Sequence, residues 1–147
     1  MVGDWCCDKH GFPMQITNVG DDYAYATFEG NEGDPWEFDD NDDQPQPIVL
    51  TPEILEKNGF NPETFLTDEW EKEVYFKEFP SCVVEPDDSG KYIFGTTIYW
   101  NKKDGDGSPM DWGTMYDSRL CNLQYVHELQ RALRCCGLWD IADNFKV

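Results

Sequence analysis

The stretch LQYVHELQRALRCCGL, residues 123–138, carries the best helical pattern in the chain. Its apolar residues recur three or four positions apart and would share one side of a helix. They are Leu123, Val126, Leu129, Leu133 and Cys136. Gly137 and Leu138 come next, as in a Schellman ending with a left-handed glycine. The stretch therefore predicts an amphipathic helix over residues 120–136 with one face on a core.

Within this helix, VHELQR differs in one position from the zinc-binding motif H-E-x-x-H. That motif needs two neutral imidazoles as ligands, with the glutamate polarising the bound water. Arg131 stands at the second ligand position and cannot coordinate a metal, because its guanidinium is always protonated. The other histidine of the chain is His10. We therefore interpret His127, Glu128, Arg131 and Arg134 as a polar helix face, with Glu128 pairing to Arg131.

A second helix is predicted by LTPEILEKNGF, residues 50–60. Thr51 is a good N-cap, and Pro52 fits the first helical position, where its missing N–H costs nothing. Gly59 again predicts a Schellman ending. The letters NPE at 61–63 repeat the N-cap signature and predict a further helical turn.

The first fifty residues read as short strands separated by turns rich in glycine, proline and acidic residues. Several strands this short, with no helix between them, predict a small SH3-like barrel or a strongly bent meander. Further strands are predicted by EVYFKEF (73–79), SCVVE (81–85) and KYIFGTTIYW (91–100). The last is apolar on both faces, which is typical of a central strand covered on each side.

Together these elements predict an α+β fold in two parts. An N-terminal SH3-like β sub-domain covers residues 1–50. Antiparallel strands then pack on the C-terminal amphipathic helix in a second sub-domain, residues 51–147. Because fifty residues alone bury little surface, we expect the two parts to share a core or to form one single domain. Six tryptophans among 147 residues supply ample material for packing.

The charge of the chain is its outlying property, with 30 acidic residues against 11 basic ones and a net charge of -19. Such a surface repels phosphate backbones and anionic membranes, so we expect no direct nucleic-acid or membrane binding. It attracts basic proteins. The chain has no apolar stretch long enough to span a membrane and no signal pattern at its start, so a cytoplasmic location is expected.

The acidic stretch WEFDDNDD is the first candidate contact surface. Carboxylates there could steer a basic partner while an aromatic side chain anchors it. The alternative is an ordinary solvated loop. The candidate partner-binding residues are Trp36, Glu37, Asp39, Asp40, Asp42 and Asp43. The polar helix face formed by His127, Glu128 and Arg131 is the second candidate surface.

The six cysteines are expected to be thiols in a reducing compartment. They are Cys6, Cys7, Cys82, Cys121, Cys135 and Cys136. Their spacing lacks the C-x₂₋₄-C pairs of structural zinc sites, and nothing local marks a cysteine nucleophile, although His127 or His10 could serve as its base. DGDGS, residues 104–108, begins like a calcium loop but lacks the turn glycine and the bidentate glutamate. We predict no metal, no cofactor and no catalytic residue.

Four stretches resemble a large family of small hypothetical proteins found in gut Bacteroidales genomes, prophages, phages and other mobile elements. They are GDW near the start, EGNEGDPWEFDD, PIVLTPEILEKNGF and LQYVHELQRALRCCGLWDIADNFKV, and the resemblance covers most of the chain. It implies a cytosolic protein tied to mobile DNA and supplies no catalytic residues. Some members of that family carry histidine or asparagine at the position of Arg131, which also argues against an obligate metal ligand there.

Three functions from different classes follow. The first is a non-enzymatic acidic interaction protein of a phage or mobile element that binds a host or element protein, for example as an inhibitor of a defence or nucleic-acid-binding protein. The second is an enzyme whose site is assembled from scattered residues. The third is a small-ligand or nucleotide sponge, which the net charge disfavours for anionic ligands. The first is preferred because of the acidic surface, the missing catalytic set and the family resemblance.

Overall fold

A computed structural model describes residues 1–20, 23–28, 33–34, 36–39, 44–66, 71–77, 82–96, 98–102, 112–115 and 119–147. The chain is mostly β, with two antiparallel sheets and three short helices among these residues. It divides into two compact units. The first unit comprises residues 1–50, 125–145 and 147, and the second comprises residues 51–124 and 146. An α+β class is therefore confirmed at this coarse level.

The first unit is built on a four-stranded antiparallel meander in the order β1-β2-β3-β4. Its elements are β1 (Trp5–Cys7), β2 (Pro13–Val19), β3 (Tyr23–Thr27), β4 (Trp36–Asp39), α2 (Val126–Cys135) and α3 (Trp139–Asp143). One face of the sheet buries Cys6, Met14, Ala26 and Phe38. The described strands form an open sheet, so the SH3-like barrel predicted for residues 1–50 is not confirmed.

The C-terminal helix belongs to the first unit, whereas the sequence placed it in the second sub-domain with the later strands. An amphipathic stripe shows that one side of a helix is buried but not which element covers it. Helix α2 contacts β1 and α3. It also begins at Val126, not near residue 120, because residues 119–123 pair with another strand and Tyr125 is extended.

The second unit contains helix α1 and a seven-stranded sheet in the order β10-β9-β5-β6-β7-β8-β11. Its elements are α1 (Pro52–Lys57), β5 (Asn61–Leu66), β6 (Glu71–Lys77), β7 (Cys82–Pro86), β8 (Tyr92–Thr96), β9 (Ile98–Lys102), β10 (Trp112–Met115) and β11 (Arg119–Leu123). The helical turn predicted at residues 61–63 is wrong, since these residues form the start of β5 and pair with β6. The single strand predicted over residues 91–100 is also wrong, because it is two strands with different neighbours.

The strand order requires the seven-stranded sheet to curl. Thr96 ends β8 and Ile98 begins β9, so these residues lie within about 7 Å of each other along the chain. Three strands separate β8 from β9 in the sheet order, which would hold them roughly 19 Å apart in a flat sheet. The sheet must therefore bend until its strands β8 and β9 approach, although the strand order does not pair them.

The predicted start of α1 and both predicted helix endings are confirmed. Thr51 Oγ1 accepts a hydrogen bond from the backbone N–H of Ile54, at 3.3 Å. Gly59 and Gly137 have φ of 81° and 80°, which favours glycine. The next residue in each case donates back to the helix, Phe60 N to Leu55 O at 3.0 Å and Leu138 N to Leu133 O at 2.9 Å. These are the bonds of a Schellman ending.

Replacing Gly59 by alanine should lower the free energy of unfolding by about 1–2 kcal/mol, because a Cβ is disfavoured in the left-handed conformation. Urea unfolding followed by circular dichroism measures the change. Gly33 is the matched control, since its φ is not positive and a Cβ there would meet nothing within 4 Å. An equal loss in Gly33→Ala would contradict the backbone explanation.

Candidate functional site

The buried amide of Gln130 joins three segments of the first unit. Gln130 is fully buried in α2. Its Oε1 accepts from the backbone N–H of Trp5 at 2.9 Å, and its Nε2 donates to Gly3 O at 2.8 Å and to Ala142 O at 2.9 Å. The indole N–H of Trp5 donates to Phe145 O at 2.6 Å. The start of the chain and its last two helices are thus held to each other by hydrogen bonds.

A buried ion pair lies beside this amide. Asp4 Oδ1 accepts a hydrogen bond from Arg134 Nη1, and both side chains are no more than 4% exposed. Arg134 Nη2 also lies 3.3 Å from Asp143 Oδ1. A Cβ on Gly3, whose φ is 91°, would meet Arg134 Nη2 at 2.9 Å, so the close approach requires glycine.

A cleft of about 410 Å³ opens next to the ion pair, and all of its lining residues belong to the first unit. Its apolar lining includes Trp5, Ile16, Pro45 and Pro47. Its polar lining includes Asp4, Gln46, Tyr125, His127, Glu128 and Arg131. The structure therefore brings the predicted second candidate surface, formed by His127, Glu128 and Arg131, to one side of a concave site.

Backbone hydrogen bonds fix the wall that carries the two prolines. Gln46 forms an antiparallel bridge with Cys7, with N–O distances of 2.9 and 2.8 Å. Val126 N donates to Ile48 O at 2.8 Å, which ties the end of this wall to the start of α2. The cleft is consequently bounded by residues that belong to the hydrogen-bonded framework of the unit.

His127 lines the cleft beside a neighbouring tyrosine ring. Its ring stacks on Tyr125 with 5.8 Å between centroids and 10° between planes. Burial lowers the pKa of His127, and the nearby Arg131 guanidinium adds to the effect. A neutral imidazole can donate from one nitrogen and accept at the other.

Glu128 and Arg131 have different partners from those predicted. Glu128 Oε1 accepts from the backbone N–H of Tyr125 at 2.9 Å, which caps the start of α2. Arg131 Nε lies 4.0 Å from Asp4 Oδ2, so its ion-pair partner is Asp4, whereas the sequence predicted Glu128. The i, i+3 spacing allowed that pairing, but capping takes the Glu128 carboxylate toward the helix start.

Three of the six cysteines have thiols with raised pKa values. Burial raises the pKa of the Cys6 thiol to about 12, and it also raises the pKa of Cys7 and Cys136. Thiols with raised pKa values hold little thiolate at neutral pH and are poor nucleophiles. No disulfide joins cysteines in the described ranges, and no cluster of three or more histidine, cysteine or acidic residues there could hold a metal ion.

The first candidate surface is described only in part. Trp36 and Glu37 are exposed on β4, with 44% of Trp36 accessible. Asp39 ends this strand and pairs with Tyr23. Asp40, Asp42 and Asp43 lie outside the described residues, as does the calcium-like stretch 104–108. The strand β4 is the last strand of the four-stranded sheet as described.

Sequence reasoning missed Asp4, Trp5 and Gln130. It placed Arg134 on the polar helix face, which is wrong, since Arg134 is buried and pairs with Asp4. The available signal was on the helix itself: Gln130 and Arg134 follow Val126 at intervals of four and so lie on a buried side of α2. Polar residues at such positions need buried partners. The partners come from the other end of the chain, and no local pattern marks them.

Comparison of the chain with protein-family models, curated proteins and solved structures gave no match. The resemblance to proteins of mobile elements therefore stays a prediction. Among the described residues, no helix has the length and apolar character needed to cross a membrane.

Replacing Gln130 by methionine should lower the free energy of unfolding by about 1–3 kcal/mol. The change keeps the side-chain length but takes the acceptor from Trp5 N, and an orphaned buried group costs about 1–3 kcal/mol. Gly3 O keeps a hydrogen bond from Gln15 Nε2 at 2.9 Å, and Ala142 O keeps one from Phe145 N at 3.4 Å. Exposed Gln44→Met is the control and should stay within about 0.5 kcal/mol. Equal denaturation midpoints for the two variants would contradict a clamping role.

His127 should make the protein less stable in mild acid. Because its folded pKa is below the unfolded value of about 6.5, its contribution is present above pH 6.5 and is lost as pH falls through the folded pKa. Between pH 8 and pH 5 the melting temperature should fall more for the wild type than for His127→Gln. Exposed His10→Gln is the control and should follow the wild type. Parallel curves for wild type and His127→Gln would show that burial of the imidazole has no such effect.

Proposed function

We propose that this chain is a non-enzymatic acidic interaction protein of a phage or mobile element, acting in the cytoplasm by binding a basic protein. The observation that carries the proposal is an exposed tryptophan on the outer strand β4, directly before the acidic stretch. Exposed aromatic side chains beside charged ones are typical anchors of protein interfaces.

The charge distribution supports the choice of a basic partner. Residues 1–50 contain twelve acidic residues and one lysine, Lys9, so this segment carries more than half of the net charge of -19. A surface of one sign steers an oppositely charged partner and repels nucleic acid. A nucleic-acid-binding protein, such as a host defence or replication protein, has the complementary surface.

The geometry of β4 supports the place of contact. Glu37 pairs with Tyr25 on β3, and Tyr23 and Tyr25 form an edge-to-face pair at 5.4 Å, with Tyr23 47% exposed. Tyr23, Tyr25 and Glu37 therefore share one face of the sheet beside its outer strand, whereas Trp36, the neighbour of Glu37 on β4, lies on the opposite face. The outer strand of a sheet can also accept a strand from a partner.

The test begins with affinity purification from a native host, followed by kinetics with the purified partner. Changing Asp39, Asp40, Asp42 and Asp43 together to asparagine should slow association about tenfold or more at low salt and flatten its salt dependence, because steering is lost. Trp36→Ala should instead speed dissociation, since it removes the anchor.

The matched control replaces four exposed acidic residues of the second unit by the corresponding amides. They are Glu53, Glu56, Glu73 and Asp88. It changes the net charge equally and should affect association much less. If both quadruple variants slow association equally, the rate depends on the net charge of the protein and not on the acidic stretch. An unchanged rate in the first variant, together with unchanged dissociation in Trp36→Ala, would contradict the proposed surface.

A further inference from the structure

Beyond the proposed protein interaction, the cleft of the first unit has the composition of a small-ligand site. Such sites are concave, span about 300–1,000 Å³ and combine apolar walls with a few polar groups that fix orientation. This cleft has a volume of about 410 Å³ and is lined by tryptophan, isoleucine, tyrosine and two prolines around four ionisable side chains. We propose that it binds a small organic carboxylate with an apolar body, whose carboxylate is held by Arg131.

Arg131 is the exposed cationic side chain of this lining, and the N-terminal ammonium of Met1 is a second cation there. The Arg131 side chain is 57% exposed, and its Nε lies 4.0 Å from Asp4 Oδ2. Asp4 is already paired with the buried Arg134 and with the Met1 ammonium at 3.3 Å, so the charge of Arg131 is only partly compensated. Within the described residues no hydrogen bond engages the two terminal guanidinium nitrogens, and their planar geometry matches a carboxylate held by two parallel hydrogen bonds.

The neighbouring polar groups favour an anion over a cation. The Asp4 carboxylate accepts from Arg134, and the Glu128 carboxylate accepts from the Tyr125 backbone. His127 lines the same cleft, and its imidazole can donate a hydrogen bond to a bound carboxylate. A cationic ligand would compete with Arg131 and Arg134 for the Asp4 carboxylate, which both already engage.

The volume of the cleft and its lining residues indicate the size and polarity of the ligand apart from its carboxylate. A volume of 410 Å³ corresponds to roughly a dozen water molecules, at about 30 Å³ each, and so to a ligand of about that many non-hydrogen atoms. Trp5, Ile16, Pro45 and Pro47 offer flat apolar surface, and the stacked Tyr125 and His127 add a ring face. An aryl or alkyl chain suits these walls.

The acidity of the chain restricts the charge of the ligand to one. Twelve acidic residues in residues 1–50 repel a polyphosphate strongly and a monoanion moderately. Salt screens this long-range repulsion more than the short contact with Arg131, because the Debye length falls from about 30 Å at 0.01 M to about 8 Å at 0.15 M. Affinity should therefore increase roughly threefold over that range, whereas binding to an ordinary basic patch weakens.

The test uses the purified chain alone, so that its result is independent of any protein partner. The probes are 4-phenylbutyrate, 4-phenylbutanol and 4-phenylbutylamine, which share a body and differ in charge. Titration calorimetry gives the affinity, and NMR spectra report the Trp5 indole and His127 signals. We expect 4-phenylbutyrate to shift both signals and to bind about tenfold more tightly than the alcohol or the amine.

Arg131→Gln should weaken 4-phenylbutyrate about tenfold and leave the alcohol unchanged. Because the Arg131 side chain is exposed, the melting temperature of this variant should stay near that of the wild type. Lys9→Gln removes the same charge from an exposed position of the same unit and should have no effect. The proposal is overturned if the alcohol binds as well as the acid, if Arg131→Gln binds the acid normally, or if 4-phenylbutyrate does not bind at millimolar concentration.

Discussion

The first unit depends on one buried polar constraint: the amide of Gln130 must satisfy three backbone groups at once. It bonds to Trp5 and Gly3 near the start of the chain and to Ala142 near its end. Loss of the amide would leave Trp5 N without this acceptor, whereas Gly3 O keeps its bond from Gln15 Nε2 and Ala142 O keeps its bond from Phe145 N. The ion pair of Asp4 and Arg134 lies between the same two segments. Asp4 directly precedes strand β1, and Arg134 belongs to helix α2.

The same framework gives the cleft its shape. The wall with Pro45 and Pro47 is bonded to β1, and Ile48 is bonded to the start of α2. Arg131, His127 and Glu128 follow on the exposed side of a helix whose other side is fixed by Gln130. A site formed by anchored elements loses less entropy on binding than one on a free loop, and this is why a shallow cleft can still be selective.

The two proposed activities use separate residues and opposite charges. The outer strand β4 and the acidic stretch offer carboxylates to a basic protein, whereas the cleft offers a guanidinium to a small anion. One chain can hold both because solvent ions screen charges beyond about 10 Å, while contacts at hydrogen-bond distance are screened much less. A mutation at Arg131 and a mutation in the acidic stretch should therefore act independently.

The features that the sequence determined by itself depend on interactions between residues close together in the chain. Thr51, Pro52, Gly59 and Gly137 specify helix starts and ends through bonds within a few residues, and those features are as predicted. The polar side of α2 was likewise visible as His127, Glu128 and Arg131. Only the tertiary structure decided that α2 belongs with residues 1–50, that residues 91–100 form two strands, and that Asp4 pairs with Arg131 and Arg134. These outcomes depend on contacts between residues far apart in sequence, whose energies are set by mutual burial and leave no mark on either local pattern.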